Sequence, residues 1–235
     1  MTRFPTVLLA LCMLPAQARE NPSISPADAK ASSAAGASFS ISTGDSLVYA
    51  LVRKAGAASA IAHDHVIKAS KITGSFVRNG DSGCSIEVTI PVSGLLPDPD
   101  DLRKAAGLPD VLSDSQRGEI RSHMRADDQL SANRFPQISF RSTRCSETGA
   151  TMQVDGDLTI RGQSRPVSTK LNTTTTERGL QVKGRFEIMQ SWFGYAPYSA
   201  LAGMLKVSDN VEIVLDIALA PTPQQPVYTP KPIAK

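Results

Sequence analysis

Apolar residues recur at every second position through most of this chain, and that alternation restricts the fold more than any other feature. Met152, Val154, Gly156, Leu158 and Ile160 share one side of a segment, with Gln153, Asp155, Asp157, Thr159 and Arg161 on the other. Val182, Gly184, Phe186, Ile188 and Trp192 repeat the pattern, as do Leu205, Val207, Val211, Ile213, Leu215, Ile217 and Leu219. Ile86, Val88 and Ile90 form another set, and Ile72, Gly74 and Phe76 a shorter one. Strands with one apolar and one wet face belong to antiparallel sheets. Strands do not alternate with helices, which excludes a doubly wound parallel sheet. Short turns join the segments, at Asn79-Gly80-Asp81, Glu147-Thr148-Gly149, Arg161-Gly162-Gln163 and Glu177-Arg178-Gly179. Such turns make hairpins. The expectation is an all-β, antiparallel, up-and-down meander of about eight or nine strands that closes into a barrel and so removes its edges.

One stretch, about 97–134, breaks the alternation. Asp98-Pro99-Asp100-Asp101 has the chemistry of a helix start, with Asp98 as cap and acids in the first turn. Gly107 and Pro109 stop it, and Ser113-Asp-Ser-Gln116 fits a capping box for a second helix reaching about Asp128. Ile120, His123 and Met124 fall on one side of that helix. The helical insertion is expected to lie over one end of the barrel.

The chain ends read differently from the middle. Met1-Thr2-Arg3, an apolar run from Phe4 to Leu14 and Ala16-Gln17-Ala18 make a secretory signal peptide cut after Ala18. The run is too short to span a bilayer. A lipidated Cys12 is the rival reading, and Leu11 stands where such a site requires a small residue. Residues 19–37 are a Pro-, Ser- and Ala-rich leader, and 221–235 a proline-rich extended tail. The folded domain is expected at 38–220. After cleavage two cysteines remain, Cys84 and Cys145, and an exported protein favours their union. Parity opposes it: Cys84 shares a face with Ile86, while Cys145 lies opposite the face of Ile138 and Phe140. A bridge therefore requires a bulge, or a Cys145 just past its strand end.

The net charge is only +3 and no basic block occurs, so nucleic-acid binding finds no support. Nucleophile elbows, C-x-x-C pairs, H-E-x-x-H helices and phosphate loops are missing from the sequence. No catalytic constellation or resident cofactor follows. The histidines are His63, His65 and His123. His63 and His65 share a strand face with Ile61 and Ile67, and such an i, i+2 pair can ligate a metal with His123 as third ligand. The plainer reading hydrogen-bonds each imidazole in the interior or at the barrel mouth, with Asp64 turned to solvent. Residues 190–198 hold Trp192, Phe193, Tyr195 and Tyr198. Trp192 and Phe193 are expected in the core, and the two tyrosines stand either at a mouth or on the wall. Arg121 and Arg125 flank His123 and face either a ligand headgroup or solvent.

Three motifs resemble the YceI-like family: His123-Met-Arg-Ala-Asp-Asp-Gln-Leu130, Arg134-Phe-Pro-Gln-Ile-Ser-Phe-Arg-Ser142, and Val154-Asp-Gly-Asp-Leu-Thr-Ile-Arg-Gly162 with Arg165-Pro-Val167. Phe193-Gly194 and the final strand with Asp209 fit as well. The resemblance covers about 40–220. It implies a lipocalin-like barrel with a helical insertion, in a secreted or periplasmic protein that binds a polyisoprenoid or similar amphiphile in an apolar lumen. The His-Asp-His segment at 63–65 departs from the more apolar strand of many members, and Ser40–Ser46 lacks an aromatic often found there.

The first functional reading is therefore a lipid-binding module, in which each buried CH₂ contributes about 0.8 kcal/mol. Its lumen is expected to be lined by Phe76, Val154, Leu158, Phe186, Ile188, Trp192 and Ile213, with a mouth near His63, His65, His123 and Tyr195. Gly74, Gly156 and Gly184 are expected to leave room inside. The second reading is a metal-binding or enzymatic barrel built on the three histidines. The third is a filled barrel acting through protein partners. A homodimer stays open in each.

Overall fold

In a computed structural model, the alternating segments pair in chain order and the sheet closes on itself. The structure describes residues 37–80, 83–108 and 111–223. The signal peptide, most of the leader, Asp81, Pro109 and tail residues 224–235 lie outside the described residues.

The strands are β1 (Ser38–Ile41), β2 (Leu47–Ala55), β3 (His65–Ala69), β4 (Thr73–Asn79), β5 (Gly83–Pro91), β6 (Leu95–Pro97), β7 (Gln137–Thr148), β8 (Thr151–Ile160), β9 (Gln163–Thr176), β10 (Gly179–Met189), β11 (Ser199–Ala200) and β12 (Leu205–Pro221). The ring runs β1-β4-β5-β7-β8-β9-β10-β12 and returns to β1, all antiparallel, which makes eight staves. β2, β3 and β6 continue β1, β4 and β5 after short breaks, so three staves are bent. At the first break the Ser46 hydroxyl donates to the Ser42 carbonyl at 2.7 Å and accepts the Ala218 N–H at 3.0 Å. It replaces ladder bonds that the bend removes. β12 runs through Pro221, opposite Phe39, and the Thr222 N–H donates to the Ser38 carbonyl at 2.8 Å. A proline is tolerated there because the strand ends at it.

Most of the period-two sets point inward as read, among them Met152, Val154, Leu158, Ile160, Val182, Phe186, Ile188, Val211, Ile213, Leu215 and Ile217. Between β8 and β9 the turn residues Arg161 and Gly162 have φ of 51° and 70°, the left-handed pair of a tight hairpin. The insertion forms two helices, α1 (Asp100–Ala105) and α2 (Asp114–Arg125). The capping box is present in full: Gln116 N–H donates to the Ser113 hydroxyl and the Gln116 side chain accepts from Ser113 N–H. α2 ends at Arg125, short of the expected Asp128.

The two helices separate in role. α1 lies outside the wall, where Leu102 and Leu108 bury Leu51 and Val66. Those two residues are paired neighbours on β2 and β3, and they face away from the lumen-lining Ala50 and Ile67. α2 reaches the barrel end, and Ile120, His123 and Met124 face the interior there.

The opposite end is shut by side chains. Phe39, Phe76, Met152 and Leu180 are buried in one cluster with Cys84 and Cys145. Arg78 stacks over both phenylalanine rings and forms a two-pronged pair with Glu147, at 2.6 and 3.0 Å. Cys84 and Cys145 are joined, with Cα atoms 4.9 Å apart. The parity conflict is resolved by bulges: the β5–β7 register shifts between Gly83 and Glu87, and the β7–β8 register between Ser142 and Arg144. One extra residue in β7 turns Cys145 to the inner face.

The inward glycines correct an expectation. A side chain at Gly156 would meet the Arg141 carbonyl and the Phe140 ring at 2.5 Å, and Gly74 and Gly184 are crowded by Glu87 and Leu171. Neighbours already fill this space. These glycines permit close strand approach; they do not create the lumen.

The bridge closes a sequence separation of 61 residues. Replacing both cysteines by serine is expected to lower the unfolding free energy by about 4 kcal/mol in the loop-entropy account. Urea denaturation of the oxidised protein and the double variant measures it, and a loss below about 1 kcal/mol would contradict that account.

Candidate functional site

A cavity of about 380 Å³ occupies the barrel interior. That is within the usual range for small-molecule sites. Its walls include Phe76, Val154, Leu158, Phe186, Ile188 and Ile213, all expected from sequence. Phe186 and Ile213 point inward yet stay only half buried. A filled core would bury them completely, so their residual exposure marks open volume.

Trp192 is not among the lining residues. β10 ends at Met189, and a turn over Gln190–Phe193 breaks the alternation. Gln190 and Phe193 turn inward, while Trp192 is left 39% exposed. Its expected place in the core and lumen is therefore corrected. Phe193 is fully buried.

The shut end is mainly aliphatic and aromatic, and apart from Ser75 and Thr169 on the wall most of the polar lining lies toward the α2 end. His65, His123, Gln129, Gln190, Tyr195 and Tyr198 all face the cavity there. Each is held by something local. The Gln129 amide donates to the Ala196 carbonyl at 3.2 Å, and Gln190 to the Ser208 carbonyl at 2.7 Å. The rings of His123 and Tyr198 meet at 4.8 Å between centroids. Arg161 donates to the carbonyls of Gly194 and Asp127, at 2.6 and 2.8 Å, and clips the aromatic segment to the segment after α2. Burial, aided by the charge of Asp209, pushes the Tyr195 phenol up to about 12, so it is a neutral hydroxyl at physiological pH.

The residue that sequence reading missed is Asp98. It was expected to cap α1, but Pro99 holds the cap position without a side-chain cap bond. Asp98 instead turns inward at the end of β6, with a φ of 52° and 0% exposure. Its carboxylate accepts from His65 Nδ1 at 2.7 Å, Val66 N–H at 3.0 Å and Arg103 Nη1 at 2.6 Å. Its N–H donates to the Val66 carbonyl and its own carbonyl accepts from Arg117, at 2.7 and 3.1 Å. Arg103, 2% exposed, also donates to the Asp64 carbonyl at 2.8 Å. One buried aspartate, through its carboxylate and its backbone, thus ties β3, β6, α1 and α2 together. Burial alone would raise the Asp98 pKa. The hydrogen bond and attraction of His65, with the Val66 and Arg103 bonds, outweigh burial and leave the carboxyl below its ordinary value. Only its place in D-P-D-D, a sequence that fits a helix start equally well, signalled it.

His65 and His123 line the cavity, and His63 does not. Among the described residues, no three His, Cys, Asp or Glu side chains are grouped to hold a metal ion. The Asp64 side chain is not turned free to solvent: it accepts from Lys54 N–H at 2.7 Å and Arg53 at 3.2 Å. The arrangement offers an apolar tube with a polar, hydrogen-bonding end.

Comparison with known families matches residues 49–219 to the YceI-like domain. The chain belongs to the YceI-like family. Protein YceI of Shigella flexneri is 34% identical over 55 residues, covering 23% of this chain and 29% of the relative. A UPF0312 protein of Photorhabdus laumondii is 28% identical over 96 residues, covering 41% and 44%. The chain thus aligns with less than half the length of these relatives. The crystal structure of Burkholderia cenocepacia BcnA superposes with a TM-score of 0.57 at 17% identity, over 77% of this chain and 99% of that one. At that identity the likeness is one of fold. Among the described residues no helix is long and apolar enough to cross a membrane.

Asp98→Asn removes the buried charge that accepts from His65, Val66 and Arg103 and is expected to cost about 3–5 kcal/mol at neutral pH. Because the folded carboxyl is held low, its stabilisation is full above the unfolded value of about 4 and is lost as pH falls through the folded value. The gap between wild type and variant should therefore stay level above about pH 5 and narrow below about pH 4. Denaturation midpoints across that range check both the size and the sign.

Proposed function

We propose that this protein is a lipid-binding protein that holds a polyisoprenoid or similar amphiphile in its lumen, outside the cytoplasm. The observation that carries the reading is the cavity: walls that are mostly apolar, with most of the hydrogen-bonding groups toward one end. That polarity is the mirror of an amphiphile. An isoprenoid chain fills the tube, and its head meets His65, Gln129, Gln190 and Tyr195. Burial of each CH₂ contributes about 0.8 kcal/mol, so a long chain binds tightly without chemistry. His65, held by Asp98 through Nδ1, supports a head carrying a hydroxyl, phenol or carbonyl. Membership of the YceI-like family supports binding over catalysis, and the lumen presents hydrocarbon where an enzyme would place reacting groups.

The test is titration with a soluble fluorescent isoprenoid probe. Ala50 lines the cavity on β2. Ala50→Phe should weaken probe binding at least about tenfold, while the exposed change Lys183→Ala should leave it unchanged. Circular dichroism confirms that both variants fold. Equal affinity in the two would reject the lumen as the binding site. Organic extraction of the purified protein, with mass spectrometry, identifies the natural occupant.

Export follows from Arg3, the apolar run after it and Ala16-Gln17-Ala18. Sequencing the mature N-terminus is expected to begin at Arg19. A start at an acylated Cys12, or an uncut cytoplasmic chain, would contradict it.

A further inference from the structure

The large hydrophobics that stay exposed are unevenly placed. Among the described residues they are Ile61 (70%), Val111 (82%), Trp192 (39%), Leu201 (56%) and Met204 (53%). Val111 sits in the link between α1 and α2. The other four stand on loops at the α2 end of the barrel, where the lumen carries its polar lining. Isolated exposed hydrophobics are ordinary, but a group around one opening marks a contact surface.

Two loops make most of this rim. Residues 55–63 and 194–205 contain no Asp, Glu, Lys or Arg. The fold brings them side by side: Ala55 pairs with Lys206, and the Ala58 N–H donates to the Met204 carbonyl at 2.8 Å. Gly56, at φ +88°, passes so close to that carbonyl that a side chain there would clash. The β11–β12 hairpin carries the tip. Leu201, Ala202 and Gly203 take φ of 51°, 53° and 87° in succession. Two non-glycine residues in the left-handed region are strained, and the surrounding contacts hold them there. The result keeps Leu201 and Met204 out in solvent, on the loop that the Ala58 bond ties to the loop of Ile61. Immediately behind this uncharged tip stand Lys54 and Lys206, both exposed, on paired strands, beside the Arg53–Asp64 ion pair; the Lys54 ammonium donates to the Ala62 carbonyl at 3.2 Å.

We propose that this rim docks on the surface of an anionic lipid bilayer. Ile61, Leu201, Met204 and Trp192 enter the acyl boundary, and Lys54 and Lys206 meet the phosphates. The inference rests on the lumen reading above, because a bilayer is where a water-insoluble isoprenoid resides. The charge pattern fits one occupant. An uncharged tip backed by lysines is what an interfacial anchor requires, since long cationic side chains keep their heads at the phosphate level. The rim also borders the lumen, with Tyr198 lining the cavity from the same hairpin segment. A docked barrel gives the lipid an apolar route in and out that does not cross water.

Trp192 is the only tryptophan in the chain, so the surface carries its own reporter. The full exported chain is mixed with phosphatidylglycerol–phosphatidylethanolamine vesicles and with vesicles lacking phosphatidylglycerol. The expected results are co-flotation with the anionic vesicles, a blue shift of Trp192 emission, and quenching by lipids brominated near the headgroup. Leu201→Ser with Met204→Ser should reduce partition at least about tenfold, and so should Ile61→Ser with Met204→Ser. Lys54→Gln with Lys206→Gln should abolish the preference for anionic vesicles. Leu201 and Met204 do not line the cavity, so these variants should bind the soluble isoprenoid probe as wild type does. A folded wild type that does not float, variants that float equally well, or Trp192 shielded instead by concentration-dependent dimerisation would overturn the proposal. Vesicle binding without probe binding would defeat the lumen reading and leave the docking surface standing.

Discussion

Closure of the sheet is the constraint on which the rest of this molecule depends. β12 is long enough to pair with β10 along one edge and with β2 and then β1 along the other. Its last residues complete the ring through Phe39–Ile41. Without those few bonds the sheet would expose two unpaired edges and an apolar face. With them, every stave has two neighbours and the apolar side chains surround a shared axis. An eight-stranded ring is just wide enough to be filled by side chains or to hold one small ligand. Here the half-buried Phe186 and Ile213 show that the side chains stop short of filling it.

The two barrel ends are finished by opposite means. At one, covalent and apolar contacts exclude water: the Cys84–Cys145 bridge, Phe39, Phe76 and the Arg78–Glu147 pair stacked above them. At the other, polar groups hold loops and helices in place and line the cavity. Asp98 is the centre of that second arrangement. A carboxylate with no exposure is tolerated because His65, Val66 and Arg103 all donate to it, and its own backbone joins β3 to α2. The same contact that anchors the insertion also orients His65 at the cavity, so structure and site share one set of hydrogen bonds.

Much of this was legible in the chain. The alternation of Val154, Leu158, Phe186, Ile188 and Ile213 placed them on one inner wall, because a strand's side chains change face at every residue. The turn glycines, the Ser113–Gln116 capping box and the helical interruption were readable for the same local reason: each acts over a few residues of backbone. The family motifs pointed to the barrel and its lumen. The lack of strands alternating with helices also pointed away from a doubly wound sheet.

The tertiary structure decided whatever depended on a partner distant in sequence. Asp98 has the sequence of a helix cap and became a buried ion because β3 and Arg103 arrive around it. Trp192 continued the inward parity until a turn after Met189 rotated it outward. Gly156 looked like spare room until the ring of Phe140 occupied it. Cys145 had the wrong parity until a bulge in β7 turned it. The loops of Ile61 and Leu201 lie far apart in sequence and meet only because β12 pairs with β2. Alternation is a property of a single strand, set by its own backbone. Register shifts, buried charge and shared surfaces belong to pairs of segments, and only closure of the sheet determines which segments become pairs.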